Sequence, residues 1–433
     1  MRAALLLILS LAVACGDDDE PVDEVEVETP AETPDEPDPN EGDPLAGLDD
    51  PEELEAAVPA TTSALDENVD VPARGCAFAD EGAIKIWQRP GVASIVTIGD
   101  GFAIAGYAKK EDGGEELFLL TQTPGRPATP ILRADLEHPL QQARVAPPAL
   151  AARDGGHVGL AFTDRRAQVR YARVDLSSRM GGFLEVGSGA DQRYSPAVAF
   201  TDADDLVMWA DGSGADRSRV RLSRVIGGSR LGEGRDLTPD AGGATCPAMA
   251  GEDLLFVDHR EGLSTFYRVD LPDGAPTVLR ATTHLFDPVA IAPVQVGQKW
   301  LVGYTAVGQA AQSAVGLVTV DGDRTPPPTA IVPSAGYGLL HVSATTLGEH
   351  VVFAADAPTE RPPESPRRVD LRIATADGAM GEPIAITGPE TGPAGASLAS
   401  VASYEGTVGV VFRGADGVYL RLLRCDPGGA TAE

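Results

Sequence analysis

The sequence predicts an all-β fold assembled from repeated units of four short strands. Short apolar and β-branched runs, broken by Gly, Asp, Asn and Pro, fill the chain from Arg74 onward. Three of these runs, at 158–164, 206–211 and 254–258, end in Asp residues that are 47 positions apart. Small-residue stretches precede such runs and alternating stretches follow them, so that each repeat supplies several strands.

Seven copies of this pattern can be counted along the chain. Runs similar to the first three lie at 102–108, 300–306, 350–356 and 408–414. Apolar stretches that begin at Pro148, Pro196, Pro247, Pro288 and Ser397 predict inner strands, and alternating third and short fourth strands follow the runs. Four strands at a period near 47 predict a seven-bladed β-propeller over residues 74–426. A pair of β-sandwiches would leave the equal spacing unexplained, and chance alignment of weak repeats is the other alternative.

The last repeat ends without a fourth strand, because only DPGGATAE follows the alternating run that ends at Cys425. The segment Ala83–Gln88 precedes the first repeat and alternates as a strand does. We therefore expect it to pair antiparallel with Val418–Leu423 and to close the ring as the outer strand of the last blade, which removes an open sheet edge.

The N-terminus has the features of an export signal. Met1-Arg2 is followed by an apolar run from Ala3 to Ala14 that is too short to span a bilayer. The segment Leu11-Ala12-Val13-Ala14-Cys15 resembles the lipobox of bacterial lipoproteins, although Ala12 stands where that family prefers Leu. The resemblance implies a signal peptide over 1–14 and a diacylglycerol-modified, palmitate-bearing Cys15 as the membrane anchor. An ordinary signal peptide with an incidental Cys is the alternative.

Charge is distributed unevenly along the chain. The net charge is −31, and 22 Asp and Glu but no Lys or Arg lie between Gly16 and Ala73. This acidic, Pro-rich stretch cannot bury enough apolar surface to fold, so residues 15–73 are predicted to be a disordered tether with a reach of about 45 Å as a random coil. The net charge of the whole molecule argues against a nucleic-acid partner, and the part from Arg74 onward is mildly acidic, at −10. Residues 427–433 are predicted to be a flexible tail.

Three cysteines follow the tether. In an exported protein, Cys76, Cys246 and Cys425 face an oxidising compartment, and two of them are expected to pair. Ring closure places Cys76 and Cys425 at the same end of one hairpin, which predicts a disulfide between them. Cys246 is then predicted to be a buried free thiol.

Acidic residues recur where second strands turn into third strands. We consider Asp164, Arg165, Asp211, Asp258, Arg260, Asp356 and Arg413 as candidate rim residues that could bind carboxylates or sugars. The favoured interpretation is structural, because Asp begins tight turns by accepting hydrogen bonds from its own backbone. The sequence contains no catalytic motif, no His pair at metal-ligand spacing and no cofactor-binding loop, so we predict no catalytic residue, metal or cofactor.

The strand count per repeat resembles that of sialidase-type and WD-repeat propellers. The chain lacks the Ser-x-Asp-x-Gly-x-Thr-Trp box, the residues that would match the sialidase arginines and tyrosine, and the Trp-Asp dipeptide. We therefore predict a monomeric, lipid-anchored binding or scaffold module for an envelope protein or glycan. In Gram-negative lipoproteins an Asp after the lipidated Cys signals retention in the inner membrane, so the resemblance, with Gly16 at that position, implies the outer membrane. An extracellular, sialidase-like glycan hydrolase is the enzyme alternative.

Overall fold

A computed structural model provides the tertiary structure. It describes residues 75–79, 82–111, 114–136, 146–153, 156–164, 166–177, 182–212, 218–238, 243–260, 263–282, 288–307, 312–321, 329–337, 340–358, 367–387 and 396–425. The predicted signal peptide, Cys15 and the tether lie outside the described residues. No helix among the described residues is long and apolar enough to cross a membrane.

The predicted seven-bladed β-propeller is confirmed. In the described part of the chain, 29 strands form seven antiparallel sheets, and we number these sheets as blades 1 to 7. Blade 1 contains β3 (Gly91–Ile98), β4 (Gly101–Lys109), β5 (Glu115–Gln122) and β6 (Thr129–Leu136). Blade 2 contains β7 (Ala149–Arg153), β8 (His157–Thr163), β9 (Val169–Asp175) and β10 (Leu184–Gly187). Blade 3 contains β11 (Ala197–Phe200), β12 (Asp204–Asp211), β13 (Arg219–Ile226) and β14 (Arg230–Asp236). Blade 4 contains β15 (Thr245–Ala250), β16 (Asp253–Arg260), β17 (Leu263–Asp270) and β18 (Thr277–Thr282).

The remaining three blades follow the same plan. Blade 5 contains β19 (Pro288–Val296), β20 (Lys299–Val307), β21 (Gln312–Val320) and β22 (Thr329–Tyr337). Blade 6 contains β23 (Val342–Leu347), β24 (His350–Pro358), β25 (Arg367–Ala374) and β26 (Ile384–Ala385). Blade 7 contains β27 (Ser397–Tyr404), β28 (Thr407–Arg413) and β29 (Val418–Cys425), together with β1 (Cys76–Phe78) and β2 (Ile84–Trp87) from the N-terminal side.

The hydrophobic core consists of layers between neighbouring blades. Each of seven apolar clusters combines buried residues of two adjacent sheets, so that every blade packs on both of its neighbours. Between blades 1 and 2, for example, Tyr107 contacts Phe162 edge to face, with ring centroids 6.1 Å apart. Second and third strands therefore have apolar side chains on both faces, which explains why the runs read from the sequence are almost uniformly apolar.

Blade 7 closes the ring as the sequence predicts. β2 pairs antiparallel with β29, with Ile84 opposite Leu420 and Trp87 opposite Val418. The sequence predicts that one strand pairs along β29 as far as Leu423. In the structure β2 pairs with β29 only up to Leu420, and β1 pairs with the other end, where Phe78 lies opposite Leu423. Ala79 N donates to Leu422 O at 2.9 Å between the two. The N-terminal side therefore contributes two short strands to one edge rather than a single longer one.

The predicted disulfide between Cys76 and Cys425 is present, and Cys246 is buried and takes no part in a disulfide. The two faces of the ring can now be distinguished. We call the face where inner strands begin the cavity face, and the face where they end the far face. The turn Glu405–Gly406, in which both residues have positive φ (45° and 72°), lies on the far face, and Gly406 O accepts a hydrogen bond from Cys425 N at 2.7 Å. Gly suits this turn because it adopts positive φ without steric cost.

Candidate functional site: the central cavity

A cavity of about 680 Å³ lies on the axis of the ring, at the cavity face. All seven inner strands contribute to its wall. Three prolines of the repeat pattern are among the lining residues: Pro148 and Pro196 directly precede β7 and β11, whereas Pro247 lies within β15, at its bulge. Because Pro cannot donate to a strand ladder, it is suited to the beginning of an inner strand, where no neighbour strand needs its N–H.

Small and apolar side chains make up much of the wall, with alanines and prolines from most blades. The charged side chains among the described lining residues are Arg193, Arg367 and Arg413, and no Asp or Glu is found among these described residues. His341, Tyr194 and several serines add hydrogen-bonding groups. The described part of the wall therefore presents arginines in a chain that is acidic overall.

Serine side chains connect the inner strands of adjacent blades around part of the ring. Ser343 Oγ in β23 accepts from Val401 N at 3.1 Å, and Ser400 Oγ in β27 accepts from Ile95 N at 3.3 Å. Ser94 Oγ in β3 donates to Pro148 O at 2.6 Å. These bonds run across blades 6, 7, 1 and 2, and they fix the spacing of the strands that form this side of the wall.

The inner strand of blade 7 is bulged where it forms the cavity wall. Its register with β28 shifts between Ser397 and Ser400, and Leu398 has a φ of 59°, which costs a non-glycine residue about 1–2 kcal/mol. The carboxylate of Asp356 in blade 6 supports this conformation, since Oδ2 accepts from Leu398 N at 3.0 Å and Oδ1 from Ala399 N at 3.3 Å. Cys246, at a similar bulge in blade 4, also has a positive φ, of 52°.

Asp356 is fully buried behind this wall, and burial raises the pKa of its carboxyl group. The nearby His341, the two backbone N–H donors and Arg367 act in the opposite direction. His341 Nδ1 lies 2.9 Å from Ala399 O, and because a carbonyl oxygen only accepts, Nδ1 carries a proton. The His341 carbonyl in turn accepts from Asp356 N at 3.0 Å. Asp356 and His341 therefore join blades 6 and 7 at the cavity.

The four candidate aspartates lie near the ends of second strands on the cavity face, but none of them lines the cavity. Asp164 Oδ1 accepts from Arg166 N at 2.8 Å and from Gln168 N at 3.0 Å, which is the turn-forming role that the sequence favours. Asp211 forms an ion pair with Arg221 at 3.1 Å. Asp258 is buried within β16. Second strands stand one position outward from the axis, so their side chains pack between blades.

The structure does not describe the side chains of all three candidate arginines. Arg413, the last residue of β28, lines the cavity and is exposed. Arg165 lies outside the described residues, and so does the side chain of Arg260, although its backbone ends β16. Sequence reasoning missed Arg193 and Arg367. Arg193 lies just before the inner strand of blade 3, and Arg367 lies at the start of the third strand of blade 6. Charged residues that flank the repeated strands were therefore the signal in the sequence that could have identified them.

The described residues at this cavity form neither a metal-binding cluster nor a pair of carboxylates of the hydrolytic type. Within the described ranges, no group of three or more His, Cys, Asp or Glu residues is arranged to hold a metal ion. A glycosidase of the usual type needs two carboxyl groups about 5–10 Å apart beside the substrate. The described wall of the cavity offers guanidinium, hydroxyl and imidazole groups instead, which are suited to binding.

No protein-family model and no curated protein sequence matches this chain. Solved structures do. The BP39L lectin from Burkholderia pseudomallei matches with a TM-score of 0.54 and 16% identity, over 81% of this chain and 96% of that one. The NanB sialidase from Streptococcus pneumoniae matches with a TM-score of 0.41 and 8% identity, over 80% and 70% of the two chains. The six-bladed fungal lectin from Aleuria aurantia matches with a TM-score of 0.43 and 12% identity, over 70% and 97%.

The shared feature is the β-propeller. Sequence identities this low support a shared fold and nothing more. Because different proteins use one fold for different functions, the likeness assigns no role to any residue of this chain.

Proposed function

We propose that this protein is a cell-envelope lipoprotein whose propeller binds a ligand in the central cavity. The observation that carries the proposal is the composition of the described cavity wall: seven inner strands enclose about 680 Å³, and the charged side chains among the described lining residues are arginines. That volume is within the range of small-molecule sites. The glycan hydrolase alternative has no specific support, because the described wall lacks the carboxylates that such a reaction uses.

A glycan or a segment of an envelope protein is the ligand class that we put forward. Sugars combine apolar faces with many hydroxyl groups, and the wall combines alanines and prolines with serines and arginines. The BP39L protein, which is named a lectin, has the same fold. That shared fold is consistent with glycan binding here and leaves the ligand itself to experiment.

Membrane attachment through an acylated Cys15 belongs to the same proposal. The chain enters the propeller at Cys76, beside Cys425, on the far face. An anchor on the N-terminal side of Cys76 is therefore joined to the face opposite the cavity. We infer that this attachment leaves the cavity accessible from the side away from the membrane. We also infer that the membrane is the outer membrane and that the protein acts as a monomer.

Glycan and peptide arrays probed with the full chain, purified from membranes in detergent, test this function. Ala290 lines the cavity, and Ala290→Trp is expected to abolish binding by filling it. Ala77 is exposed on the far face, so Ala77→Trp is the matched control and should bind as the wild type does. Binding that survives Ala290→Trp in a folded variant, or the absence of any ligand on the arrays, would overturn the proposal.

A further inference from the structure

Side chains join the inner strands of blades 6 and 7 beside the cavity. His341 directly precedes β23, and Ser343 is the second residue of that strand. His341 Nδ1 donates to Ala399 O at 2.9 Å, and Ser343 Oγ accepts from Val401 N at 3.1 Å. Residues two apart in a strand share one face, so both bonds lie on the same side of β23 and β27. Blade 6 therefore holds the backbone of β27 at two successive points.

Only the cavity end of this series of contacts can reach a ligand. His341 and Ser343 both line the cavity. The next pair along the two strands is Thr345 and Ser403, whose hydroxyl oxygens are 3.5 Å apart, and neither residue is among the described cavity lining. The series thus runs from the cavity toward the far face.

Each of the two lining side chains has a hydrogen-bonding function that the contact between the blades does not use. A neutral imidazole carries one N–H, which in His341 is at Nδ1, so Nε2 has a lone pair and accepts. Ser343 Oγ accepts from a backbone N–H, so its O–H remains a donor. The wall thus offers one acceptor and one donor from the same side of one strand.

The backbone beside His341 is fixed before any ligand binds. The carboxylate of Asp356 accepts from Leu398 N and Ala399 N, and Asp356 N donates to His341 O at 3.0 Å. Blade 6 therefore holds Ala399 by both its N–H and its C=O, which maintains the positive φ of Leu398. A group whose orientation is fixed in advance loses less conformational entropy on binding, which favours its use in a binding site.

We propose that His341 and Ser343 form a subsite of the cavity that binds two hydroxyl groups of one sugar ring, at the end of a glycan. Nε2 of neutral His341 accepts from one hydroxyl, and the Ser343 hydroxyl donates to the other. A hydroxyl both donates and accepts, so a single ring satisfies both side chains. Alanines and prolines of the wall accommodate the apolar face of the ring. This inference rests on the proposed function and names its ligand class and two of its binding residues.

The size of the cavity favours a sugar over a polypeptide segment. Its volume of about 680 Å³ is that of a small-molecule site. A glycan enters such a site with its terminal ring alone, whereas an internal segment of a polypeptide has to enter and leave it. A peptide ligand is therefore the competing outcome of the test.

NMR spectroscopy tests the hydrogen-bonding state of His341 without a ligand. The full chain in detergent carries a nitrogen-15 label in its histidines, and the ring signals that are lost in His341→Asn, or in His341→Gln, belong to His341. At pH 8 we expect the proton on Nδ1 and a bare Nε2. A ring that carries a proton on Nε2 at this pH would overturn the proposal, because the wall would then present a donor to the sugar.

Calorimetric titration of the full chain in detergent tests the ligand class, with D-glucose, D-galactose and D-mannose as probes. These sugars differ in the orientation of single hydroxyl groups. We expect one of them to bind about fivefold or more tightly than the others, which is the effect of one hydrogen bond. Equal binding of all three, or binding of none, would overturn the subsite.

A histidine variant separates ligand binding from the contact between the blades. The amide nitrogen of Asn is attached to Cγ, as Nδ1 of His is, so His341→Asn keeps a donor for Ala399 O and loses the acceptor for the sugar. We expect it to weaken binding of the preferred sugar about tenfold and to leave the urea midpoint of unfolding unchanged. His350, at the start of β24 on the far face of the same blade, provides the matched control His350→Asn, which should bind as the wild type does.

Ser343→Ala is the second variant. It removes the donor for the sugar and the acceptor for Val401 N, so it should weaken sugar binding about fivefold and also lower the stability. If either His341→Asn or Ser343→Ala fails to fold, the other variant decides. Sugar binding that the folded variant leaves unchanged would overturn the subsite.

The outcomes separate the subsite from the proposed function. If a sugar binds, Ala290→Trp blocks it and His341→Asn has no effect, the binding function stands and the subsite falls. The same conclusion follows if only peptides on the arrays bind and Ala290→Trp blocks them. If neither arrays nor titrations reveal binding that Ala290→Trp removes, both proposals fall.

Discussion

Cys76 and Cys425 are directly opposite residues of β1 and β29, and a disulfide joins them across a sequence separation of 349. They connect the first described strand of the chain to the last. The bond therefore fixes the ring at the one blade whose strands come from both ends of the propeller.

Removing this disulfide should lower the stability of the whole ring. We expect Cys76→Ser or Cys425→Ser to reduce the free energy of unfolding by about 2–5 kcal/mol, since the unfolded chain regains the freedom of a very long loop. Urea denaturation with and without a reductant measures this, and the reductant should have no effect on the double variant. Cys246→Ser, which alters a cysteine outside the disulfide, is the control. A wild-type stability that the reductant leaves unchanged would contradict the prediction.

Trp87 in β2 should contribute to closure by joining blade 7 to blade 1. Its ring stacks on Phe118 with centroids 4.3 Å apart, and its Nε1 donates to the buried Glu116 at 3.2 Å. Because Trp87 is half-buried, Trp87→Ala should cost about 2–4 kcal/mol, near the low end for a large aromatic residue. Trp87→Phe keeps the stacking and should cost about 1 kcal/mol through the lost hydrogen bond. Equal urea midpoints for the two variants would argue against the stacking role.

Asp205 is a buried carboxylate that holds blades 2 and 3 together. It accepts from Tyr171 Oη at 2.6 Å, from Arg173 Nε at 2.9 Å and from Arg153 Nη1 at 3.1 Å. Asp205→Ala leaves two arginines without their buried partner and should cost about 3–5 kcal/mol, whereas Tyr171→Phe should cost about 1 kcal/mol.

Asp204, the preceding residue, provides the control for this network. Asp204→Ala should change the unfolding free energy by less than about 0.5 kcal/mol, as expected away from such contacts. Urea denaturation measures the unfolding free energy of both variants. If Asp205→Ala costs no more unfolding free energy than Asp204→Ala, the network adds little stability.

The pH dependence of stability should report on Asp356. Burial raises the pKa of this carboxyl group in the folded protein, so the folded state binds the proton more tightly than the unfolded state does. Its contribution to stability is therefore greatest below the ordinary Asp pKa of about 4 and decreases as the pH rises through the raised native value. In Asp356→Asn this titration is absent, so the variant should gain stability relative to the wild type as the pH rises from about 4.

Asp356→Ala separates charge from hydrogen bonding. It leaves the N–H groups of Leu398 and Ala399 without their acceptors and should be less stable than Asp356→Asn by about 2–4 kcal/mol at every pH. Urea denaturation between pH 4 and 8 gives both quantities. An Asn variant with the same pH profile as the wild type would exclude Asp356 as the titrating group.

The Cys15 prediction concerns localisation and is independent of the propeller. Cys15→Ala should move the protein from the membrane fraction to the soluble fraction, because no diacylglycerol can then be attached. A serine at Cys246 should leave fractionation unchanged. Membrane association that persists in Cys15→Ala cells would contradict lipidation.

The architecture could be predicted from the pattern of residues along the chain. Strand alternation, the 47-residue step and the turn residues reflect local backbone structure and burial. Together they were sufficient to predict seven four-stranded blades. The missing fourth strand after Cys425 left one arrangement that removes the open edge, so closure by the N-terminal side and the Cys76–Cys425 bond could also be predicted. The split of that edge into β1 and β2 could not, because it depends on the register along β29.

Which side chains form the cavity wall could not be predicted, because it depends on strand register and ring closure. The repeat places Asp164 and its counterparts near the ends of the second strands on the cavity face. Whether a side chain there points to the axis or between blades depends on the strand register, and a shift of one residue reverses its direction. The bulge at Leu398 shifts that register in blade 7. Arg193, Arg367 and Arg413 come from unrelated points of the repeat and line the same cavity because the ring is closed. Their common location depends on elements that are distant in sequence, which a one-dimensional pattern does not contain.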